Sequence, residues 1–370
     1  MNSVPANPHA STTTKRLLAW LATLPRRTRR KVLVGQFCGY PNPRPELLAQ
    51  THPWSTFRNE YMDDIRAMTG KTPALLGVDY YGNSGGIDEG PGIVTTEHAH
   101  QRTLNYNDVT GTGLHLNRSL IAWWNSGGLV TINIHSYRPD THRPDHSGAL
   151  MKFGRGGGDP RFPGDERFRE YDLTRILPGG ADRSNWLAML DGMADGLSEL
   201  RDGGVVVIWR PFHEMDCGFW WGKHDGEVFK RVWRDMFAHF TVNRRLDNLL
   251  WAFTGSWAYY PGDDLVDLTG IDIYHRTLPA QHPLYTSTLD RGKLFAVSEF
   301  GFGIDALRDN STASYDFLEV LTSLKTSVPE SLYLLAWSDA WRIGNPNHRH
   351  QREFMHNDLM LCLEDVDFRA

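Results

Sequence analysis

Only three cysteines occur in the 370 residues, Cys38, Cys217 and Cys362. They are too few and too scattered for a disulfide framework or a zinc site, and they do not decide the compartment. No apolar run is long enough to span a bilayer. No basic block or acidic tail stands out and the net charge is −5, so neither nucleic acid nor an anionic membrane is an expected partner. A signal-peptide pattern is also missing. The apolar part of "KRLLAWLATLPRRTRRK" is short, interrupted and flanked by basic residues, with no small-residue cleavage site after it. The segment fits an amphipathic helix leading into a first strand, with Leu17, Leu18, Leu21 and Leu24 on one stripe. The expectation is a cytoplasmic chain unless a leader has been removed, and nothing bears on oligomeric state. No internal linker with a composition shift interrupts the chain. One domain over 1–370 is therefore expected, with residues 1–14 as a flexible N-terminus.

What is abundant is tryptophan, with 13 in the chain. A large aromatic core explains this at least as well as a carbohydrate-facing surface does. Eight apolar runs read as strands: 31–37, 73–79, 129–135, 204–210, 248–254, 268–274, 293–299 and 332–338. Most are continuous rather than alternating, the mark of parallel strands covered on both faces. Helical patterns separate most of them, as in "GEVFKRVWRDMFAHFT", apolar at Val228, Val232, Met236 and Phe240. Eight strand–helix units in a chain longer than the roughly 250 residues of a typical barrel predict an α/β fold, a (β/α)8 TIM barrel. Long Gly-, Pro-, Asp- and His-rich connections over 80–114 and 136–183 leave the carboxyl ends of strands two and three, where barrels build their sites.

One of those carboxyl ends carries unusual chemistry. "WRPFHEMDCGFWWG" puts an arginine, a histidine, a glutamate and an aspartate directly after a buried strand. Glu214 sits there among Pro211, Phe212, Met215, Phe219, Trp220 and Trp221. An apolar surround raises a carboxyl pKa and keeps a general acid protonated near neutrality. Glu299, in "LFAVSEFGFG", ends the seventh strand, roughly opposite the fourth across an eight-strand barrel. Two carboxyls about 5–5.5 Å apart perform retaining glycoside hydrolysis; the sequence permits that distance without fixing it. A metal hydrolase using "HEMD" with His224 is a rival reading, but the zinc-protease motif needs two histidines four apart on a helix. A non-catalytic sugar-binding barrel is another, and the presence of both glutamates argues against it.

These segments resemble glycoside hydrolase family 26, the β-mannanase family. "WRPFHEMDCGFWWG" is similar to its acid/base segment, "GSWAYYPGDDLVDLTGIDIYH" to its fifth and sixth strands, and "VSEFG" to its nucleophile segment. "LLAWLATLPRRTRRKVLVGQ" and "SGGLVTINIHSYRP" are similar to its opening helix with first strand and to its third strand. The resemblance implies Glu214 as acid/base and Glu299 as nucleophile, with His213 orienting the acid/base or bonding the sugar. It implies a hydrogen bond from Tyr274 to the nucleophile, sugar contacts from His135, an aromatic floor at Trp337, and Trp220 as the tryptophan after the acid/base. The implied partner is a β-linked polysaccharide or oligosaccharide, most simply β-1,4-mannan, with β-1,3-xylan or mixed-linkage glucan as alternatives. No cofactor and no metal are implied. Departures from the family pattern lie at Asp216 and Cys217, where Phe219 or Trp220 is left to stack on sugar, and at Ser338, where an arginine is frequent.

Overall fold

The computed structural model describes residues 3–38, 54–79, 116–134, 139, 171–215, 219–222, 224–274, 282–301, 314, 316–337 and 341–369. His135, Asp216, Cys217, Ser338, the connection over 80–114 and nearly all of 136–170 lie outside the described residues. All eight expected strands are present: β1 (Val32–Phe37), β2 (Leu75–Asp79), β3 (Leu129–Asn133), β4 (Val207–Arg210), β5 (Leu249–Thr254), β6 (Leu268–Ile273), β7 (Leu294–Phe300) and β8 (Ser331–Ala336). Each pairs in parallel with the next, and β8 returns to β1, closing a (β/α)8 barrel. The continuous apolar runs follow from that closure, because inward side chains fill the barrel and outward ones meet helices. Every residue of β1, β3, β4, β5, β7 and β8 is buried.

The helices are α1 (Thr12–Thr23), α2 (Trp54–Thr69), α3 (Leu116–Asn125), α4 (Arg183–Asp202), α5 (Gly226–Ala238), α6 (Pro283–Asp290), α7 (Phe317–Thr326) and α8 (Gln351–Met355). Two features differ from a regular alternation. Residues 255–267, between β5 and β6, contain no α-helix and return to the barrel floor through a 3-10 turn at Trp257–Tyr259. Beyond α8, a two-residue strand β9 (Met360–Leu361) adds to β1 in parallel. None of the described helices is long and apolar enough to cross a membrane.

Residues 6–14, expected as part of a flexible N-terminus, are instead tied to the floor of the barrel. The Ala6 N–H donates to Asp267 Oδ1 at 2.6 Å, and Asn7 Nδ2 donates to the Leu246 carbonyl at 2.9 Å. Ser11 caps α1 by accepting from the Thr14 N–H, while its own N–H reaches the Asp247 carbonyl at 2.8 Å. Backbone hydrogen bonds of this kind are invisible to composition.

The tryptophan excess is mostly core. Trp186, Trp209, Trp221, Trp233 and Trp251 are each under 2% exposed. Phe212, one residue before His213, is the hub of this layer. Its ring lies 5.4 Å from Phe229, 5.8 Å from Trp221, 6.3 Å from Trp233 and 6.4 Å from Trp186. The segment that carries Glu214 is thereby fastened to α4 and α5. Phe212→Ala should cost about 3–5 kcal/mol, as for other fully buried aromatics. Chemical unfolding checks this, and a loss below about 1 kcal/mol would contradict the anchoring role.

Candidate active site

Arg210, the last residue of β4, is 1% exposed, so its guanidinium must find its partners inside the barrel. Nη1 donates to Asp272 Oδ2 at 2.9 Å, and Nη2 donates to Glu299 Oε1. Glu299 Oε2 accepts from the Tyr274 hydroxyl at 2.6 Å. The Nε2 of buried His213 lies 3.9 Å from Glu299 Oε1. Glu299 thus has both oxygens engaged and is 2% exposed. One carboxylate oxygen from each of Glu214, Asp272 and Glu299 lies within 4.8 Å of the other two. Four elements deliver these groups: β4 and the turn after it, β6, the residue following β6, and β7.

A bulge makes this convergence possible. Along β6 and β7, Ile271 pairs with Val297 but the next pair is Asp272 with Glu299, so Ser298 is the extra residue. Its hydroxyl folds back between the strands, 3.0 Å from the Ile271 carbonyl and 2.7 Å from Asp272 Oδ1. The space is left by Gly270, where a Cβ would sit 2.5 Å from the Ser298 hydroxyl. Bulges re-aim side chains; this one sets two acids level with each other beneath one arginine.

Glu214 is placed differently. Its φ is +48°, a left-handed conformation that costs a non-glycine residue on the order of 1–3 kcal/mol. Its neighbours hold it there. The Trp221 indole N–H donates to the His213 carbonyl at 2.8 Å. Met215, on the other side, is buried over Gly255 (φ +147°), where a Cβ would come within 2.6 Å of its side chain.

The aromatics expected near the acid/base divide in two. Phe219 stacks on Trp221 at 4.4 Å and 7° and lies 4.9 Å from the His213 ring. Trp220, 3% exposed, turns the other way and packs edge-on against Tyr171, Trp186 and Trp221. It stands behind the turn that carries Glu214. Trp337 lies flat on Phe37, with ring centroids 3.8 Å apart. Gln36 fixes it from below, donating to the Trp337 carbonyl at 2.9 Å and accepting from the Ile343 N–H at 2.9 Å. Trp341, not anticipated, meets Tyr274 edge-on at 5.4 Å. His224, considered above as a metal ligand, places Nε2 2.6 Å from the Trp220 carbonyl. Among the described residues, the guanidinium in contact with Asp272 and Glu299 is that of Arg210.

Arg210, Asp272 and Ser298 were not singled out in the sequence. A signal for two of them was present: an arginine ends a buried apolar run, and Asp272 stands two residues before Tyr274, on the same strand face.

Three acids around one guanidinium cannot all ionise cheaply. Burial pushes the Glu299 carboxyl up to about 8, helped by the charges of Asp272 and Glu214 and opposed by Arg210 and the Tyr274 hydroxyl. At neutral pH the cluster therefore keeps a proton, which belongs to the group rather than to one residue. Burial and the nearby acids raise the Tyr274 phenol well above its ordinary value, so it remains a donor.

Residues 6–357 match the model of Glycosyl hydrolase family 26. The chain is 31% identical to mannan endo-1,4-beta-mannosidase A and B of Caldalkalibacillus mannanilyticus, over 98% of this chain and 63% of that protein. It is 29% identical to a mannan endo-1,4-beta-mannosidase of Bacillus subtilis, over 91% of this chain and 82% of that one. Among solved structures, Bacillus subtilis mannanase man26 superposes with a TM-score of 0.71 at 26% identity, covering 97% of this chain and 94% of that chain.

The buried acid has a consequence for stability. Between the ordinary carboxyl value of 4.5 and about 8, the acid cluster around Glu299 holds a proton in the folded protein that the unfolded chain releases. Stability is therefore lost as pH rises through this window. The buried Asp267, raised to about 6, adds a decline that is largely complete by that pH. From pH 6 to 8 the melting temperature should fall in the parent and fall less in Glu299→Gln. Equal slopes in the two proteins would contradict the assignment.

Proposed function

The chain belongs to Glycosyl hydrolase family 26, and from that premise we propose that it is a retaining glycosidase acting on β-1,4-mannan, in the manner of a mannan endo-1,4-β-mannosidase. The observation that carries the reading is the approach of Glu214 and Glu299, one carboxylate oxygen of each lying within 4.8 Å of the other at the carboxyl ends of facing strands. Retaining enzymes hold the pair about 5–5.5 Å apart, whereas inverting enzymes open it to about 6.5–9.5 Å to admit a water. The named activity of the two bacterial relatives supports mannan as the substrate.

In the proposed reaction Glu299 Oε1 or Oε2 attacks the anomeric carbon. Glu214 gives its proton to the leaving glycosidic oxygen, and a glycosyl-enzyme ester forms. Glu214, now ionised, takes a proton from water, which attacks the anomeric carbon and frees Glu299. The proton retained by the acid cluster is the one this cycle needs, and its productive place is Glu214. Arg210 and Tyr274 hold the Glu299 carboxylate turned and ionised while that proton sits across the cleft. His213 is a positioning residue beside both acids. Trp337, directly after β8, and His135, which lies outside the described residues, are proposed to contact the sugar before the cleaved bond. Trp220 acts from behind, as packing for the acid/base loop.

Glu299→Ala should abolish release of reducing sugar from mannan by more than about 10⁴-fold, a loss on the scale of removing a covalent nucleophile. Glu214→Ala should lose nearly as much on mannan yet still form the glycosyl-enzyme from an aryl β-mannoside with a good leaving group, which needs little protonation. Mannan, galactomannan, β-1,3-xylan and mixed-linkage glucan, compared by product sizing, test the substrate. The first anomer seen by proton NMR should be β. An α-anomer as first product, or cutting of xylan or glucan but not mannan, would overturn the proposal.

A further inference from the structure

One guanidinium in the barrel is shared between two carboxylates, and each carboxylate keeps a second oxygen that needs its own partner. Arg210 gives Nη1 to Asp272 Oδ2 and Nη2 to Glu299 Oε1, one nitrogen to each acid. A guanidinium facing a carboxylate more often closes a fork, with both of its nitrogens on the two oxygens of one acid. Here both remaining oxygens are taken. Glu299 Oε2 accepts from the Tyr274 hydroxyl at 2.6 Å. Asp272 Oδ1 accepts from the Ser298 hydroxyl at 2.7 Å. A chain of hydrogen bonds therefore runs Tyr274–Glu299–Arg210–Asp272–Ser298, with a hydroxyl closing each end.

Ser298 is the extra residue of the β6–β7 bulge and is 1% exposed, so it cannot touch a sugar. Gly270 leaves the space its hydroxyl occupies. That hydroxyl has one proton and two acceptors, Asp272 Oδ1 at 2.7 Å and the Ile271 carbonyl at 3.0 Å. The carboxylate oxygen is the closer and the stronger acceptor. Without the hydroxyl, Asp272 Oδ1 would lose this partner on a side chain only 6% exposed, a costly state for a buried acid. The donors Asp272 already faces are those of Arg210. By turning both oxygens onto the guanidinium, Asp272 would close the fork on itself and draw Nη2 away from Glu299.

We propose that Ser298 is a positioning residue for the nucleophile: by occupying one oxygen of Asp272, it keeps Arg210 divided between Asp272 and Glu299. This role presupposes Glu299 as the nucleophile of the proposed reaction. Besides Arg210 and Asp272, the titratable groups around Glu299 are His213 and Glu214 after β4, Tyr274 after β6 and Tyr333 on β8. Arg210 acts on the Glu299 carboxyl in the downward direction, so its withdrawal makes Glu299 harder to ionise.

The test is the rate at which 2-deoxy-2-fluoro-β-mannosyl fluoride labels Glu299, followed by mass spectrometry, together with crystal structures of the variants. Fluoride departs with little help from an acid, so this rate reports the nucleophile rather than Glu214. Ser298→Ala should label about tenfold or more slowly than the parent, the scale of one hydrogen bond to a charged group. The pH of its half-maximal labelling rate should also rise. In its structure, Asp272 should hold Arg210 through both oxygens and the Arg210–Glu299 contact should be lost. An amide has one acceptor oxygen and cannot close the fork. In an Asp272→Asn background, Ser298→Ala should therefore slow labelling by less than about twofold. Ser298→Cys, a weaker donor in the same place, should fall between the parent and the alanine variant. It carries the same comparisons if the alanine variant does not fold. Labelling of Ser298→Ala at the parent rate, equal losses in the two backgrounds, or an unchanged division of Arg210 in the variant structure would overturn the proposal. A parent that is never labelled at Glu299 would instead refute the retaining reaction, and the variant structures would still decide how the guanidinium is shared.

Discussion

The guanidinium of Arg210 is the constraint around which the site is built. It is buried at the end of β4, and an unpaired charge there would cost several kcal/mol. Two acids from neighbouring β6 and β7 answer it, Asp272 and Glu299. A third, Glu214, follows β4 and brings a carboxylate oxygen within 4.8 Å of theirs. One carboxyl, Glu299, is clamped between Arg210 and Tyr274 and a second lies beside it, the arrangement that the proposed double displacement uses.

Two local irregularities convert this charge arrangement into geometry. The bulge at Ser298 places Glu299 opposite Asp272, and the left-handed backbone of Glu214 turns its side chain out of the strand direction. Each runs against local preference, and each is enforced by buried neighbours: Gly270 beneath the Ser298 hydroxyl, and Trp221, Met215 and Gly255 around Glu214. Strain concentrated at a site and sustained by surrounding packing is the expected pattern for functional residues. The dense aromatic layer around Phe212 supplies that packing.

Much of this was legible in the sequence. The eight strands stand within a few residues of their expected places, because a barrel strand covered on both faces reads as a continuous apolar run. Glu214, Glu299, His213 and Tyr274 come together as their positions after strand ends suggested. Asp272 escaped notice and the arginine at 210 was given no role, because a charged residue inside an apolar run reads locally as an exception, and only pairing across strands explains it. The bulge at Ser298 depends on register, which no single strand encodes. The missing helix between β5 and β6 and the anchoring of residues 6–14 rest on packing and on backbone hydrogen bonds from distant segments. Trp220, expected beside the sugar, is 3% exposed and packs edge-on against Tyr171, Trp186 and Trp221, a placement that its neighbours in sequence do not reveal.

The central claim is that Glu299, held by Arg210 and Tyr274, forms the covalent bond to the sugar. The most direct measurement is mass spectrometry of the protein treated with a 2-deoxy-2-fluoro-β-mannosyl fluoride, whose slowed second step allows the ester to accumulate. One adduct per chain, mapped by peptide digestion to Glu299, is the predicted result. An adduct on Asp272 or Glu214, or turnover without any trapped ester, would contradict the account.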